Sequence, residues 1–316
     1  MAVTTPDLDY DALLAEASAR TGLEDFGDDS FRLPLRRLLL GLNEEANLNA
    51  LGSGLQHDRL LGFLINRLRF EKLWQSHPEI ADEEIAPPVV IIGLGRTGTT
   101  LLQRLLATDH RFHAPLWWET RFPIPFEGEA LHDPRNRIDT ALGEVRMMYE
   151  TVPNLDAIHP LDALQADEDI LLLEQSFFST TPESFAHLPA FGQWLDTQDQ
   201  SPGYHYLKRL LQCLQWQKRQ RGQHAKRWLL KTPHHIHYTD VLLKVFPGAQ
   251  IIQAHRDPVT VVPSWASLVY ALWQQNSDTA DPLEAGRYWS DKLATGLNRC
   301  MQVRDASGER TWLDVH

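Results

Sequence analysis

The chain has 316 residues, room for one large α/β domain or two ordinary ones, and long enough to bury roughly three quarters of its unfolded surface without covalent staples. Hydrophobic residues at 43% and charged residues at 23% are globular proportions, which excludes a disordered or fibrous chain. A net charge of −12 makes it a poor clamp for nucleic acid or an anionic membrane, but allows a small anion in a local basic pocket.

From the N-terminus, the acidic MAVTTPDLDYDALLAEAS lacks the basic region of a signal peptide. Residues 1–85 read as helices. Tyr10–Thr21 is amphipathic and ends at Gly22, a C′ signal. Phe31–Leu48 carries Leu33, Leu35, Leu38, Leu39 and Leu42 at helical spacing, and Leu55–Trp74 repeats the pattern with Leu60, Phe63, Leu64, Leu68 and Leu73. Pro78 and the acidic Asp82–Glu84 then break it. At Pro87 the texture changes. Val89–Ile92 is short, wholly apolar and bounded by Pro-Pro and Gly93, the pattern of a strand buried on both faces of a parallel sheet. A helix-forming LLQRLLA follows. Residues 110–225 read mostly as helix with Pro-rich loops such as Phe122–Phe126. Trp228–Lys231 then reads as a strand, Asp240–Phe246 as a helix, Pro247-Gly248 as a turn and Gln250–His255 as the next strand. The alternation predicts a P-loop-type α/β fold, a parallel sheet flanked by helices, with a helical N-terminal region at 1–86 and the α/β domain at 87–316. The final Trp312-Leu313-Asp314-Val315-His316 reads as a strand just begun. No apolar run approaches the roughly eighteen residues of a membrane span. Cys213 and Cys300 are the only cysteines, far apart and outside any metal spacing, so a reducing cytoplasm is expected.

The chemistry concentrates in Gly93-Leu94-Gly95-Arg96-Thr97-Gly98-Thr99-Thr100, between a buried strand and a helix start, where free amides and the helix dipole favour an oxyanion. Gly93 and Gly98 fit the spacing of GxxxxGK[ST], but Thr99 replaces the lysine and the cation sits at Arg96. Without that lysine, ATP with magnesium loses its clamp. The plainer alternative is a Gly-rich turn with no ligand.

The stretch PPVVIIGLGRTGTTLLQRLLATDHRF resembles the 5′-phosphosulfate loop of sulfotransferases that use PAPS (3′-phosphoadenosine 5′-phosphosulfate). The later QIIQAHRDPVTVVPSWASL resembles their 3′-phosphate segment, with Arg256 ending a strand and Ser264 eight residues on. Asp257-Pro258 between them makes a good N-cap and N1 pair. The helical N-terminus is similar to bacterial members, and the motif settings also resemble tyrosylprotein sulfotransferases. The resemblance implies metal-free, in-line sulfuryl transfer to a hydroxyl or amine of a small-molecule or lipid acceptor, with PAPS as co-substrate and no metal, nucleic acid or integral membrane partner. It implies that Arg96, Thr97, Gly98, Thr99 and Thr100 hold the phosphosulfate, that Arg256 and Ser264 hold the 3′-phosphate, and that Lys231 stabilises the transition state. Glu119, in Trp117-Trp118-Glu119-Thr120-Arg121, stands where some members carry the catalytic base, and partial desolvation between tryptophans suits that task. His113 and His255 are the alternatives, since the cytosolic branch uses a histidine. Relatives continue past a segment like the last residues into a basic loop over the nucleotide, so one wall of the pocket is expected to be missing. Rival readings are a nucleotide kinase with a degenerate loop and a non-catalytic 3′-phosphoadenosine-binding protein.

Two further clusters have plainer readings. His234, His235 and His237 fit no closed zinc set and read as solvated or capping residues. Asp167-Glu168-Asp169 reads as a solvated helix start.

Overall fold

Val89–Ile92 forms β1, and every residue of it is buried. Val90 and Ile92 pack into one apolar cluster, with Leu207, Leu210 and Leu214, while Val89 and Ile91 pack into another on the opposite face, with Leu102 and Leu106. Burial on both faces is why the strand is continuously apolar instead of alternating. The other strands are β2 (Phe112–His113), β3 (Arg227–Lys231), β4 (Gln250–Ala254) and β5 (Trp312–Val315). These five strands pair in parallel, in the order β2-β3-β1-β4-β5. The expected parallel α/β sheet is present, and the C-terminal residues do form a strand, β5. In this computed structural model residues 8–151, 160–307 and 311–316 are described. Residues 152–159 of the stretch read as mostly helical therefore lie outside that description.

Three helices build the N-terminal layer: α1 (Tyr10–Thr21), α2 (Arg32–Glu44) and α3 (Ala50–Ser76). Asp9 caps α1 through Oδ1, which accepts from Ala12 N–H at 2.8 Å, and Gly22 ends it at φ 66°. The sequence places the start of α3 at Leu55. Asn49 instead caps it, its Oδ1 accepting from Gly52 N–H at 2.8 Å, and the helix gains a turn. Their core includes Phe177, Phe178, Leu188, Phe191 and Leu195 from the middle of the chain. That mixed core docks the layer onto the rest of the protein.

The loop after β1 enters α4 (Thr99–Leu106). Among the described residues of the middle are α5 (Trp117–Arg121), α6 (Arg135–Thr151), α7 (Ile170–Glu174), α8 (Thr181–Phe185) and α9 (Pro189–Asp196). Then come α10 (Ser201–Gln220), α11 (Thr239–Val245), α12 (Pro258–Asn276) and α13 (Pro282–Ser307). Register pairs Ile91 with Lys231 and Ile92 with Gln253. The ends of β3, β1 and β4 therefore open onto one edge of the sheet, where such folds bind ligands.

Candidate functional site

The loop over that edge has a shape only some residues tolerate. Gly98 caps α4 at φ 86°, a left-handed conformation that suits glycine. Gly95 lies against Trp265: a Cβ there would fall 2.1 Å from the indole Cε3. Arg96 holds φ 71°, uncommon for a side chain with a Cβ and characteristic of functional loops. Its carbonyl accepts from Arg256 Nη1 at 3.0 Å, and its own Nε donates to Ser264 Oγ at 3.2 Å. Thr97 Oγ1 donates to Leu94 O at 2.7 Å. The first amides of α4 have no acceptor within the helix, so they are available to an anion.

Residues 160 positions apart thus meet at one point: Arg96, Arg256 and Ser264 form a single polar cluster at the loop. Asp257 caps α12 by accepting from Val259 N–H at 2.9 Å, which turns the chain after β4 and presents Arg256 and Ser264 on the same side.

Lys231, the last residue of β3, is 1% exposed. Its Nζ donates to Thr100 Oγ1 at 3.3 Å and to Glu168 Oε1 at 2.8 Å. A buried ammonium needs such partners. Lys231 therefore joins the first turn of α4 to a carboxylate.

That carboxylate belongs to the acidic triple, which is not a solvated helix start. Asp169 is fully buried: its Oδ1 accepts from Lys231 N–H at 2.8 Å, and its Oδ2 lies 3.0 Å from the ring Nε2 of His235.

 His235 Nε2 thus bonds Asp169 Oδ2, and Tyr204 OH bonds the other ring nitrogen at 2.9 Å. Burial works to raise the Asp169 pKa, but His235 and the Lys231 amide outweigh it and hold the carboxyl below its usual value.

Glu119, read from the sequence as the base, is placed differently. It is 1% exposed, and three donors make four hydrogen bonds to its two oxygens: Lys218 Nζ at 2.6 Å from each, Arg221 Nη2 at 3.0 Å from Oε1, and Leu116 N–H at 3.1 Å from Oε2. That is the setting of a structural ion pair. His113 lies buried against Trp228, its pKa pulled down to about 4, chiefly by burial. His255 Nε2 is engaged with Asp314 Oδ1 at 2.6 Å.

The histidine cluster is not solvated either: His234, His235 and His237 are 2%, 0% and 4% exposed. Among the described residues no group of three or more His, Cys, Asp or Glu is arranged to hold a metal ion. Burial drives the pKa of His234 well down and that of His237 to about 3. Both are neutral when folded, whereas the unfolded chain takes up protons below its ordinary 6.5. Their contribution is therefore complete above pH 6.5 and is lost as the pH falls below it, for His237 down to about 3. Urea unfolding at stepped pH is expected to show stability falling by about 1.4 kcal/mol per pH unit for each histidine below that point. A flat profile from pH 6.5 to 5 would contradict their burial as neutral groups.

The fold brings to this site Glu168 and Asp169, which the sequence reads as a solvated helix start, and Trp265, to which it gives no place. The acidic triple just before an apolar helix was the available signal for the first two. No local pattern distinguishes Trp265 among ten tryptophans.

Residues 87–316 match the model of the sulfotransferase family. Omega-hydroxy-beta-dihydromenaquinone-9 sulfotransferase Stf3 of Mycobacterium tuberculosis (strain CDC 1551 / Oshkosh) is 31% identical over 212 residues, 64% of this chain and 51% of that protein. Its Mycobacterium bovis counterpart matches equally. The chain spans about half the length of these curated relatives. Among solved structures, sulfotransferase STF9 from Mycobacterium avium superposes with a TM-score of 0.86 at 29% identity, covering 100% of this chain and 80% of that one. Sulfotransferase STF1 from M. tuberculosis H37Rv gives 0.79 at 30% identity, covering 98% and 84%.

Proposed function

Because the chain belongs to the sulfotransferase family, we propose that it moves a sulfuryl group from PAPS to a hydroxyl or amine of a small-molecule or lipid acceptor. The observation that carries this reading is the meeting of Arg96, Arg256 and Ser264 at a phosphate loop whose usual lysine is Thr99, with Lys231 reaching the same loop from β3. In-line displacement at sulfur needs donors on the transferring group and the leaving phosphate, and a base on the acceptor. Arg96 and the amides of Gly98, Thr99 and Thr100 suit the 5′-phosphosulfate, with the Thr97 hydroxyl tying the loop. Arg256 and Ser264 suit the 3′-phosphate. Lys231, beside Thr100, suits the charge that develops as the bond to the leaving phosphate breaks. The relative Stf3 is named for a hydroxylated menaquinone, which favours a lipid alcohol as acceptor here. No helix among the described residues is long and apolar enough to cross a membrane. Two buried, unpaired cysteines fit a reducing cytoplasm.

The test is calorimetry with adenosine 3′,5′-bisphosphate, followed by transfer from labelled PAPS to a panel of phenols, alcohols, amines and isoprenoid quinols. Binding without transfer to any of them favours a nucleotide-binding role, and absence of binding ends the proposal. Arg96→Ala is expected to weaken bisphosphate binding about tenfold to a hundredfold, the worth of a charge-assisted contact. Arg256→Ala and Ser264→Ala are expected to weaken nucleotides bearing a 3′-phosphate and spare those without one. Equal losses for both kinds would assign these residues to stability.

A further inference from the structure

Resting on that sulfuryl-transfer reading, the geometry points to Glu168 as the base that takes the acceptor's proton. Three carboxylates lie together near Lys231, and their surroundings separate them. Asp169 is fully buried, both oxygens engaged by the Lys231 amide and His235. Asp167 is 6% exposed; its Oδ1 accepts from Glu168 N–H at 2.6 Å and its Oδ2 lies 4.0 Å from Arg104. Glu168 keeps 21% of its side chain exposed. Its Oε1 bonds Lys231 Nζ at 2.8 Å, and its other oxygen makes no hydrogen bond to any described residue. Of the three, only Glu168 has an oxygen left for a proton and a path to solvent.

Its position relative to the loop is the second argument. One ammonium, Lys231 Nζ, bonds both Glu168 Oε1 and Thr100 Oγ1 in the first turn of α4. A base must stand beside the group being transferred, and this carboxylate is one contact away from the loop that suits it. The third argument is rigidity. Tyr204, His235 and Asp169 form a fully buried chain of hydrogen bonds ending on the Lys231 amide. Asp169 thereby fixes the neighbouring Glu168 against the end of β3, the kind of support that holds a catalytic group in place.

In the step itself, Glu168 takes the O–H proton of the acceptor as the acceptor oxygen bonds to sulfur. The bond from sulfur to the bridging phosphate oxygen breaks, and its electron pair leaves with adenosine 3′,5′-bisphosphate. The proton ends on Glu168, and Lys231 stays at the leaving oxygen.

The experiment uses the full chain and an acceptor confirmed in the transfer panel. Glu168→Gln is expected to lower the single-turnover rate by 10²–10⁴-fold. Bisphosphate affinity should hold or tighten, because Lys231 loses a competing carboxylate. Glu168→Ala should recover part of its rate when acetate is added, a response that a purely structural residue does not give. Circular dichroism on both variants checks that they fold. An active parent with a Gln variant within about threefold of it overturns the assignment, as does a parallel loss of rate and affinity without rescue. A parent that binds the bisphosphate and transfers to nothing fails the functional reading, and this assignment falls with it.

Discussion

Glu119→Gln is expected to cost about 3–5 kcal/mol of stability, the usual consequence of removing one partner from a buried ion pair. The carboxylate is 1% exposed and neutralises Lys218, at 6% side-chain exposure, and Arg221, at 10%. Burial already pulls the Lys218 pKa below its ordinary value, with Glu119 as the main opposing influence. Glutamine keeps the shape but leaves two cations facing each other in a dry site. Urea unfolding should show an earlier midpoint with an unchanged slope. Adding Lys218→Met should restore part of the loss, since an apolar replacement removes one of the stranded charges. The folded variant should keep near-parental turnover. A variant as stable as the parent but 10²-fold slower would return Glu119 to the chemistry.

Lys231→Met is expected to lower turnover by roughly 10²–10³-fold, the typical loss of one donor placed where charge develops. Methionine fills most of the buried volume, and Glu168, left behind, still reaches water at 21% exposure. The fold should therefore persist, and the loss should appear in the rate of the bound complex. Single-turnover kinetics at saturating donor, beside bisphosphate affinity, separates the possibilities. If affinity collapses while the saturated rate holds, Lys231 binds the donor and plays no part in the transition state.

Local features of the chain were readable without a structure because their causes lie within a few residues. Val89–Ile92 forms the expected strand because its apolar residues face helices on both sides of the sheet. Tyr10–Thr21 begins and ends as read because Asp9 and Gly22 act on neighbouring amides and carbonyls. The loop Gly93–Thr100 is legible for the same reason: glycine spacing, a preceding strand and a following helix form one contiguous signal. The two-residue β2 gave no such signal, being too short for any periodicity. The roles of the carboxylates were not readable. Glu119 lies within one short helix and Glu168 two residues before another, and the tryptophans flanking Glu119 favour it locally without showing what will pair with it. Lys218 and Arg221 lie 99 and 102 residues from Glu119, and Lys231 lies 63 from Glu168. Only folding decided which carboxylate was enclosed by cations and which was left half open beside the loop. The histidines follow the same rule: packing with Tyr204, Thr180 and Asp169, all distant in the chain, buries a cluster that its polar neighbours suggest is solvated. Hydrophobic periodicity and capping are short-range and are written in the sequence; desolvation and charge pairing depend on what the fold brings alongside.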